Sequence, residues 1–468
     1  MKPICSKAPL AFLVTILCMV AVTGLGHPVL AQTAPSPVVH HDLSVTIEPA
    51  THRLQVRDRI RVPGALVTPQ FTISLNADLN VRVNSGSLSL VRSRATGADT
   101  GMDRENSGMR VPVNVYQVDG VVPGQEWTGE FSYDGVINYV PRDAGGEYAR
   151  SFRQSPGLIE SRGVYLGGST HWVPQIGDAL MTYTLAVQLP AGWKSVSQGE
   201  RAERTAGAGS GSGERWSVTT PTEEVHLIAA AFTEYSRDAG TVKAMAFLRK
   251  PDPALADRYL DATAQYLDMY RGLLGPYPYS KFALVENFWE TGYGMPSFTL
   301  LGEQVIRFPF ILHSSYPHEL LHNYWGNGVF VDFDGGNWCE GLTAYLADHL
   351  IAEQRGQGAD HRRAILQRVT DYVTPENDFP LTRFASRHNA VTEAVGYGKT
   401  AMVFNMLREK VGDALFTKAL QEFYRENRFR LASFDDIRKS FEAVAGQDLR
   451  SYFEQWIKGV GTPELKLE

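Results

Sequence analysis

From about residue 38 to residue 235 the chain carries apolar and polar positions in short, partly alternating runs. Residues 41–47, 71–75, 127–133, 181–189 and 224–232 mix β-branched and aromatic side chains in this way, the pattern of half-buried strands. Pro63-Gly64, Pro123-Gly124 and Pro190-Ala191-Gly192 punctuate them, and residues 206–213, nearly all Gly, Ala and Ser, suit a hairpin loop. Many short strands with almost no helical period predict an all-β, sandwich-like domain over residues 32–236.

Beyond residue 237 the period lengthens. Leu255, Tyr259, Leu260, Tyr266, Leu267 and Tyr270 fall at helical spacing within residues 253–274, which stop at Gly275-Pro276-Tyr277-Pro278. Further helices are predicted at 316–325, 338–353, 362–372 and 399–411, with short strands at 282–286 and 297–301. The fold class is therefore α+β and multi-domain, the second domain, 237–468, being mostly helical.

The first thirty residues follow a third pattern. Lys2 and Lys7 precede an apolar run over residues 10–22, and Val29-Leu30-Ala31 closes it with small residues. This is the layout of a secretory signal peptide, 1–31, and the run is shorter than the roughly 20 residues a spanning helix needs. It predicts an exported protein, periplasmic or secreted, with no stable membrane insertion after cleavage and a start near Gln32.

Composition changes the picture little. Hydrophobic content of 43% and charged content of 21% are ordinary for a globular chain. A net charge of -6 offers no basic surface for nucleic acid. Of three cysteines only Cys339 lies beyond residue 31, so no internal disulfide is expected in the mature chain.

The candidate chemistry sits at Tyr316-Pro317-His318-Glu319-Leu320-Leu321-His322. Ser314 or Ser315 can cap a helix there, and Pro317 suits its first turn. Four residues apart, His318 and His322 project from one helical face and can hold one metal ion, while Glu319 reaches a water beside it. Glu340, in Asn337-Trp338-Cys339-Glu340-Gly341, opens the next helix and completes a two-His, one-Glu donor set of the catalytic zinc type. Asp332 and Asp334 are rival donors in the intervening loop, where turn roles suit them better. Asp348 and Asn323 are candidates to orient the histidines. Tyr397, between two glycines and just before a helix, can aim its hydroxyl into a cleft.

The ordered set His318-Glu319-x-x-His322, Glu340-Gly341 and Tyr397-x-Lys399 resembles the aminopeptidase N family of gluzincin zinc peptidases. Tyr277-Pro278-Tyr279-Ser280-Lys281 and the late Phe453-Glu454-Gln455-Trp456-Ile457 are similar to that family too. The resemblance covers nearly the whole mature chain. It implies a thermolysin-like catalytic domain behind the β domain, one zinc ion, a peptide substrate and a transition-state role for Tyr397.

Three departures bear on function. The seventeen residues between His322 and Glu340 are one fewer than usual in the family, and Cys339 stands where Asn is usual. Where the family has its Gly-x-Met-Glu-Asn strand, whose Glu grips the substrate's amino terminus, this chain reads Gly292-Tyr293-Gly294-Met295-Pro296-Ser297-Phe298. Gly294 and Met295 are thus expected to bind substrate, but Pro296 replaces the anchoring Glu, leaving Glu286 or Glu290 as substitutes. The helical domain that often follows is not expected here, which predicts a more open cleft. The resulting expectation is a zinc-dependent, aminopeptidase-like peptidase acting on exported or extracellular peptides. The alternatives are an endopeptidase or N-blocked-peptide hydrolase on the same site, and a non-catalytic peptide-binding scaffold.

Overall fold

The structure is a computed structural model that describes residues 37–97, 110–143, 153–206 and 212–461. The expected signal peptide, 1–31, lies outside the described residues. The first half is built on a seven-stranded sheet. Its strands are β1 (Val39–Glu48), β2 (Arg53–Val62), β3 (Leu79–Ser85), β4 (Trp127–Val136), β5 (Met181–Leu189), β6 (Glu200–Ala206) and β7 (Ser212–Thr222). They run in the order β6-β7-β5-β1-β2-β4-β3, with only β1 and β5 parallel. Strict alternation along β1 and β2 puts Leu43, Val45, Leu54, Val56 and Ile60 on one face. There they meet Ile73 and Leu75 of a three-stranded sheet and Ile159, Val164 and Leu227 of a four-stranded one in a single core. That packing of sheet faces is the sandwich-like layer the alternation predicts.

The second half opens on a five-stranded sheet rather than on a helix. Its strands are β8 (Thr233–Ala239), β9 (Val242–Leu248), β10 (Lys281–Asn287), β11 (Gly292–Met295) and β12 (Phe298–Gly302), in the order β8-β9-β10-β12-β11. Strand β8 straddles residue 237 and pairs with β9, so this sheet begins at Thr233. Strand β11 is an edge, joined to β12 by the turn Met295-Pro296-Ser297-Phe298.

Helix α1 (Pro253–Leu274) has the bounds its periodicity predicts. Asp252 caps its first turn through Leu255 N–H at 3.0 Å, and Tyr259, Leu267 and Tyr270 are buried on its inner face. Helix α2 (Ser315–Leu321) follows, then α3 (Trp338–Ala344), α4 (Gly358–Tyr372) and α5 (Thr400–Val411). Ser314 is the residue that caps α2, but its hydroxyl donates back to the Phe310 carbonyl at 3.0 Å and makes no cap bond. Two π-helical turns extend these helices, Tyr345–His349 after α3 and Ala394–Lys399 ahead of α5. One wider turn rotates the following side chains relative to an α-helix, which is why such turns collect at functional sites.

Candidate active site

The His-Glu-x-x-His segment forms α2, with His322 at its C-terminal end still in helical conformation. His318 and His322 therefore sit on one face, ring centres 4.8 Å apart and planes at 74°. Both turn Nε2 toward one oxygen of Glu340, at 3.5 and 3.6 Å. Bonds of about 2.0–2.2 Å to a tetrahedral zinc would separate donors by about 3.3–3.5 Å, which both separations from Glu340 match. Among the described residues these three form the one such donor group. Asp332 and Asp334 are not part of it. They shape a short turn, Asp332 Oδ1 accepting from Asp334 N–H at 3.2 Å.

Each Nδ1 is held from behind. His318 Nδ1 meets Asp348 Oδ2 at 3.2 Å, as the sequence suggests, and Asp348 lies in the π-helical turn after α3. Asn323 does not hold His322. That ring contacts the Trp325 carbonyl at 3.3 Å and the buried Cys339 thiol at 3.4 Å. Asn323 is spent elsewhere: its Oδ1 accepts from Tyr277 Oη at 3.0 Å and Ser297 N–H at 2.6 Å.

Electrostatics follow from burial and neighbours. Burial pushes the Glu340 carboxyl up, but His322, His318 and the Tyr397 hydroxyl, which hydrogen-bonds it, outweigh that and hold it at about 2. Burial pushes His322 down to about 4, so its ring is the neutral form that binds a metal. At His318 burial works the same way but Asp348 and Glu340 overcome it, and the ring is shifted well up. Glu319 is raised to about 7, by burial first, with His318 opposing and Glu340 and Asp348 reinforcing. A carboxyl poised there takes and returns protons near neutral pH.

Tyr397 falls within the continuous helical run rather than just before a helix. The π-helical turn Ala394–Lys399 carries it, with its ring stacked on His318 at 6.3 Å and 13°. The approach depends on Gly341: a Cβ there would lie 2.2 Å from Thr400 Cβ and 2.9 Å from the Gly396 carbonyl. A glycine at that position is what lets α3, with Glu340, touch the helix that carries Tyr397.

These groups line a cleft of about 670 Å³ whose rim includes the β11 edge. Gly294 is part of that wall, since a Cβ on it would sit 2.7 Å from Glu319 Oε2. Met295 is not; its side chain is buried with Phe298 and Leu300 in an apolar cluster. Pro296 and Ser297 form the turn behind, with Ser297 at φ 69°. Neither proposed substitute for the missing Glu reaches the cleft. Glu286 is buried against Arg307 Nη1 at 2.9 Å and Arg249 N–H at 2.7 Å, and Glu290 accepts from Gln304 N–H at 3.0 Å. Sequence reasoning missed Arg153 and Arg387 on the cleft wall. Only the basic run Arg387-His388 ahead of the Tyr397 helix hinted at the second.

Residues 313–456, which carry all three donors, Glu319 and Tyr397, match the model of the Peptidase family M1 domain. This segment is a peptidase family M1 domain. Aminopeptidase N of Haemophilus influenzae is 29% identical over 161 residues, 33% of this chain and 18% of that protein. The mitochondrial Aminopeptidase 2 of Saccharomyces cerevisiae is 24% identical over 157 residues, 32% of this chain and 16% of that protein. The chain thus spans less than a fifth of the length of these M1 relatives. A solved M1 zinc metallopeptidase from Deinococcus radiodurans shares the fold over 92% of this chain and 95% of its own, with a TM-score of 0.66 at 20% identity. A variant of that enzyme bound to Tyr-Ser-Ala superposes with a TM-score of 0.68 at 19% identity. The likeness in fold extends across the β half as well as the segment that matches the family model.

Proposed function

We propose that this protein is a zinc-dependent peptidase of the aminopeptidase type. The observation that carries it is the convergence of His318, His322 and Glu340 on one point in a cleft, with Glu319 beside them and Tyr397 bonded to Glu340. The relatives named aminopeptidases support the reaction class. His318, His322 and Glu340 would hold a zinc ion, which would supply Lewis-acid polarisation of a carbonyl and acidify a water. Glu319 accepts that water's proton and returns it to the leaving amine. The Tyr397 hydroxyl donates to the oxygen that gains charge, a role typically worth about 3 kcal/mol. Asp348 keeps a proton on His318 Nδ1 and so leaves Nε2 free as a donor.

A second reading concerns the substrate's amino terminus. Pro296 offers no charge, and Glu286 and Glu290 are engaged elsewhere. These observations favour a cleft that also accepts blocked amino termini and internal bonds. The reading of residues 1–31 as a signal peptide supports action on peptides outside the cytoplasm, which amino-terminal sequencing of the mature protein checks.

The test is hydrolysis of matched peptides with free and acetylated amino termini by zinc-loaded protein. Glu319→Gln is expected to keep its zinc and lose at least a thousandfold in rate. Cleavage by that variant at the wild-type rate would sink the reading. Strict refusal of acetylated peptides would sink the second one.

A further inference from the structure

Between strand β12 and helix α2 the chain runs from Val305 to Ser314, and both of these residues line the cleft. The backbone between them is pinned. Ile306 and Ile311 are buried in the core, the Tyr259 hydroxyl donates to the Ile306 carbonyl at 2.9 Å, and the Tyr266 hydroxyl donates to the Leu312 carbonyl at 2.6 Å. Arg307 is tied to Glu286 at 2.9 Å. What this anchoring leaves outside is a pair of rings. Phe308 and Phe310 are 48% and 61% exposed, and among the described residues no other phenylalanine is exposed. Their ring centres lie 5.6 Å apart with planes at 13°, so they stack.

Single apolar residues scattered on a surface are ordinary, but two rings held parallel on a fixed backbone form a small apolar plate beside the cleft. Neither ring lines the cleft itself. Ser314 connects the plate to the metal helix: its hydroxyl donates to the Phe310 carbonyl at 3.0 Å, and its own carbonyl accepts from His318 N–H at 3.4 Å. Four residues at 3₁₀ spacing and four at α spacing, about 2.0 and 1.5 Å each, put the Phe310 backbone within about 14 Å of that of His318. An extended peptide covers that span in about four residues of about 3.3–3.6 Å each.

We propose that Phe308 and Phe310 form an outer subsite for the peptide in the cleft, stacking an aromatic or long apolar side chain about four residues from the scissile bond. The continuity of this segment with the cleft, through Val305 at one end and Ser314 at the other, is what assigns the plate to the same ligand. A flat pair of rings selects flat or long apolar groups, and it gains little from Ala or Ser. The subsite therefore favours peptides long enough to reach from the metal donors to the plate over di- and tripeptides. The inference rests on the peptidase reading for the identity of the occupant.

Calorimetry on zinc-loaded Glu319→Gln protein measures binding apart from turnover. The probes are acetylated, amidated nonapeptides of Ala and Ser around a central Leu, with Phe at the first position, at the last, or at neither, and the tripeptide Ser-Leu-Ala blocked in the same way. One Phe-ended nonapeptide is expected to bind at least fivefold more tightly than the one without Phe, and which end it is gives the direction of the chain across the plate. Adding Phe308→Ser and Phe310→Ser together should erase that preference and leave the affinity of the tripeptide unchanged, which also shows an intact cleft; Tyr at both positions should keep it. Equal affinity for the three nonapeptides, or a preference that survives the double Ser variant, would overturn the proposal. So would a dimer of the wild type, seen by sedimentation, that the double variant dissolves, since a second copy would then cover the plate. Failure of the peptidase reading shows separately, as no cleavage of any of these peptides by the wild type, and leaves the nonapeptide ratios to decide the plate.

Discussion

At the scale of single residues, Glu319 is tuned by burial against its own ionisation. In the metal-free protein its carboxyl holds its proton up to about pH 7, against an ordinary value of 4.5. A folded-state pKa raised above the unfolded one gives stability that is present below pH 4.5 and lost as pH rises through 7. Glu319→Gln removes that loss. The metal-free variant is therefore expected to match wild type at pH 4.5 and to exceed it by up to about 3 kcal/mol at pH 8, converting the shift at 1.36 kcal/mol per unit. Urea unfolding of both proteins at the two pH values measures the gap. A gap that stays constant with pH would mean that Glu319 is not the strained acid described here.

At the scale of elements, the hairpin of β11 and β12 is fastened to the metal helix by side chains from outside it. Asn327 Nδ2 donates to the Gly294 carbonyl at 3.2 Å, and Asn323 joins Ser297 N–H to the Leu320 carbonyl of α2. Lys281 closes the arrangement by donating to Ser297 Oγ at 2.7 Å. The fit is close enough that Gly294→Ala should act on catalysis before stability. Its Cβ would press on Glu319 at 2.7 Å and on His322 at 3.1 Å, so a tenfold or greater fall in kcat is expected with the melting temperature shifted by only a few degrees. Equal kcat in the variant would show that β11 does not bear on Glu319. Lys281 gives a second test. Burial, then the Arg201 charge, push its amine well below the ordinary 10.5, and it is enclosed by Trp216 and Phe298. The unfolded chain binds that proton more readily, so wild-type stability should rise with pH toward 10.5, a slope that Lys281→Met should lack in urea titrations.

Much of this was legible beforehand, and the reasons differ by residue. His318, Glu319 and His322 follow from helical spacing, and α1 from its period and caps, because both are local. Asp348 could be named because it lies two turns beyond Glu340. The turn at Pro296-Ser297, the Cys339 contact with His322 and the diversion of Asn323 depend on which distant segments meet, and no local pattern records that. The glycines beside Tyr397 mark it only as a candidate and its transition-state role follows from resemblance, since the π-helical turn that aims it has no mark in hydrophobic period.

At the scale of the whole molecule, the helices that carry the donors share one apolar core. One core runs from α1 through Tyr316, Leu320 and Leu321 of α2 and Trp338 and Leu342 of α3 to Val403 and Phe404 of α5. Those side chains are buried, and burial of apolar area is the dominant favourable term in folding. Small zinc domains differ, because there the metal supplies the folding energy itself. Chelation is therefore expected to abolish hydrolysis while leaving far-ultraviolet circular dichroism unchanged. Bound zinc should instead raise the melting temperature in proportion to the logarithm of its free concentration, since it favours the folded state by mass action, about 2.7 kcal/mol at a hundredfold excess over Kd. His318→Ala should remove the zinc-dependent rise and keep the fold. Loss of the helical signal on chelation would show that the ion, not the core, holds α2 against α3.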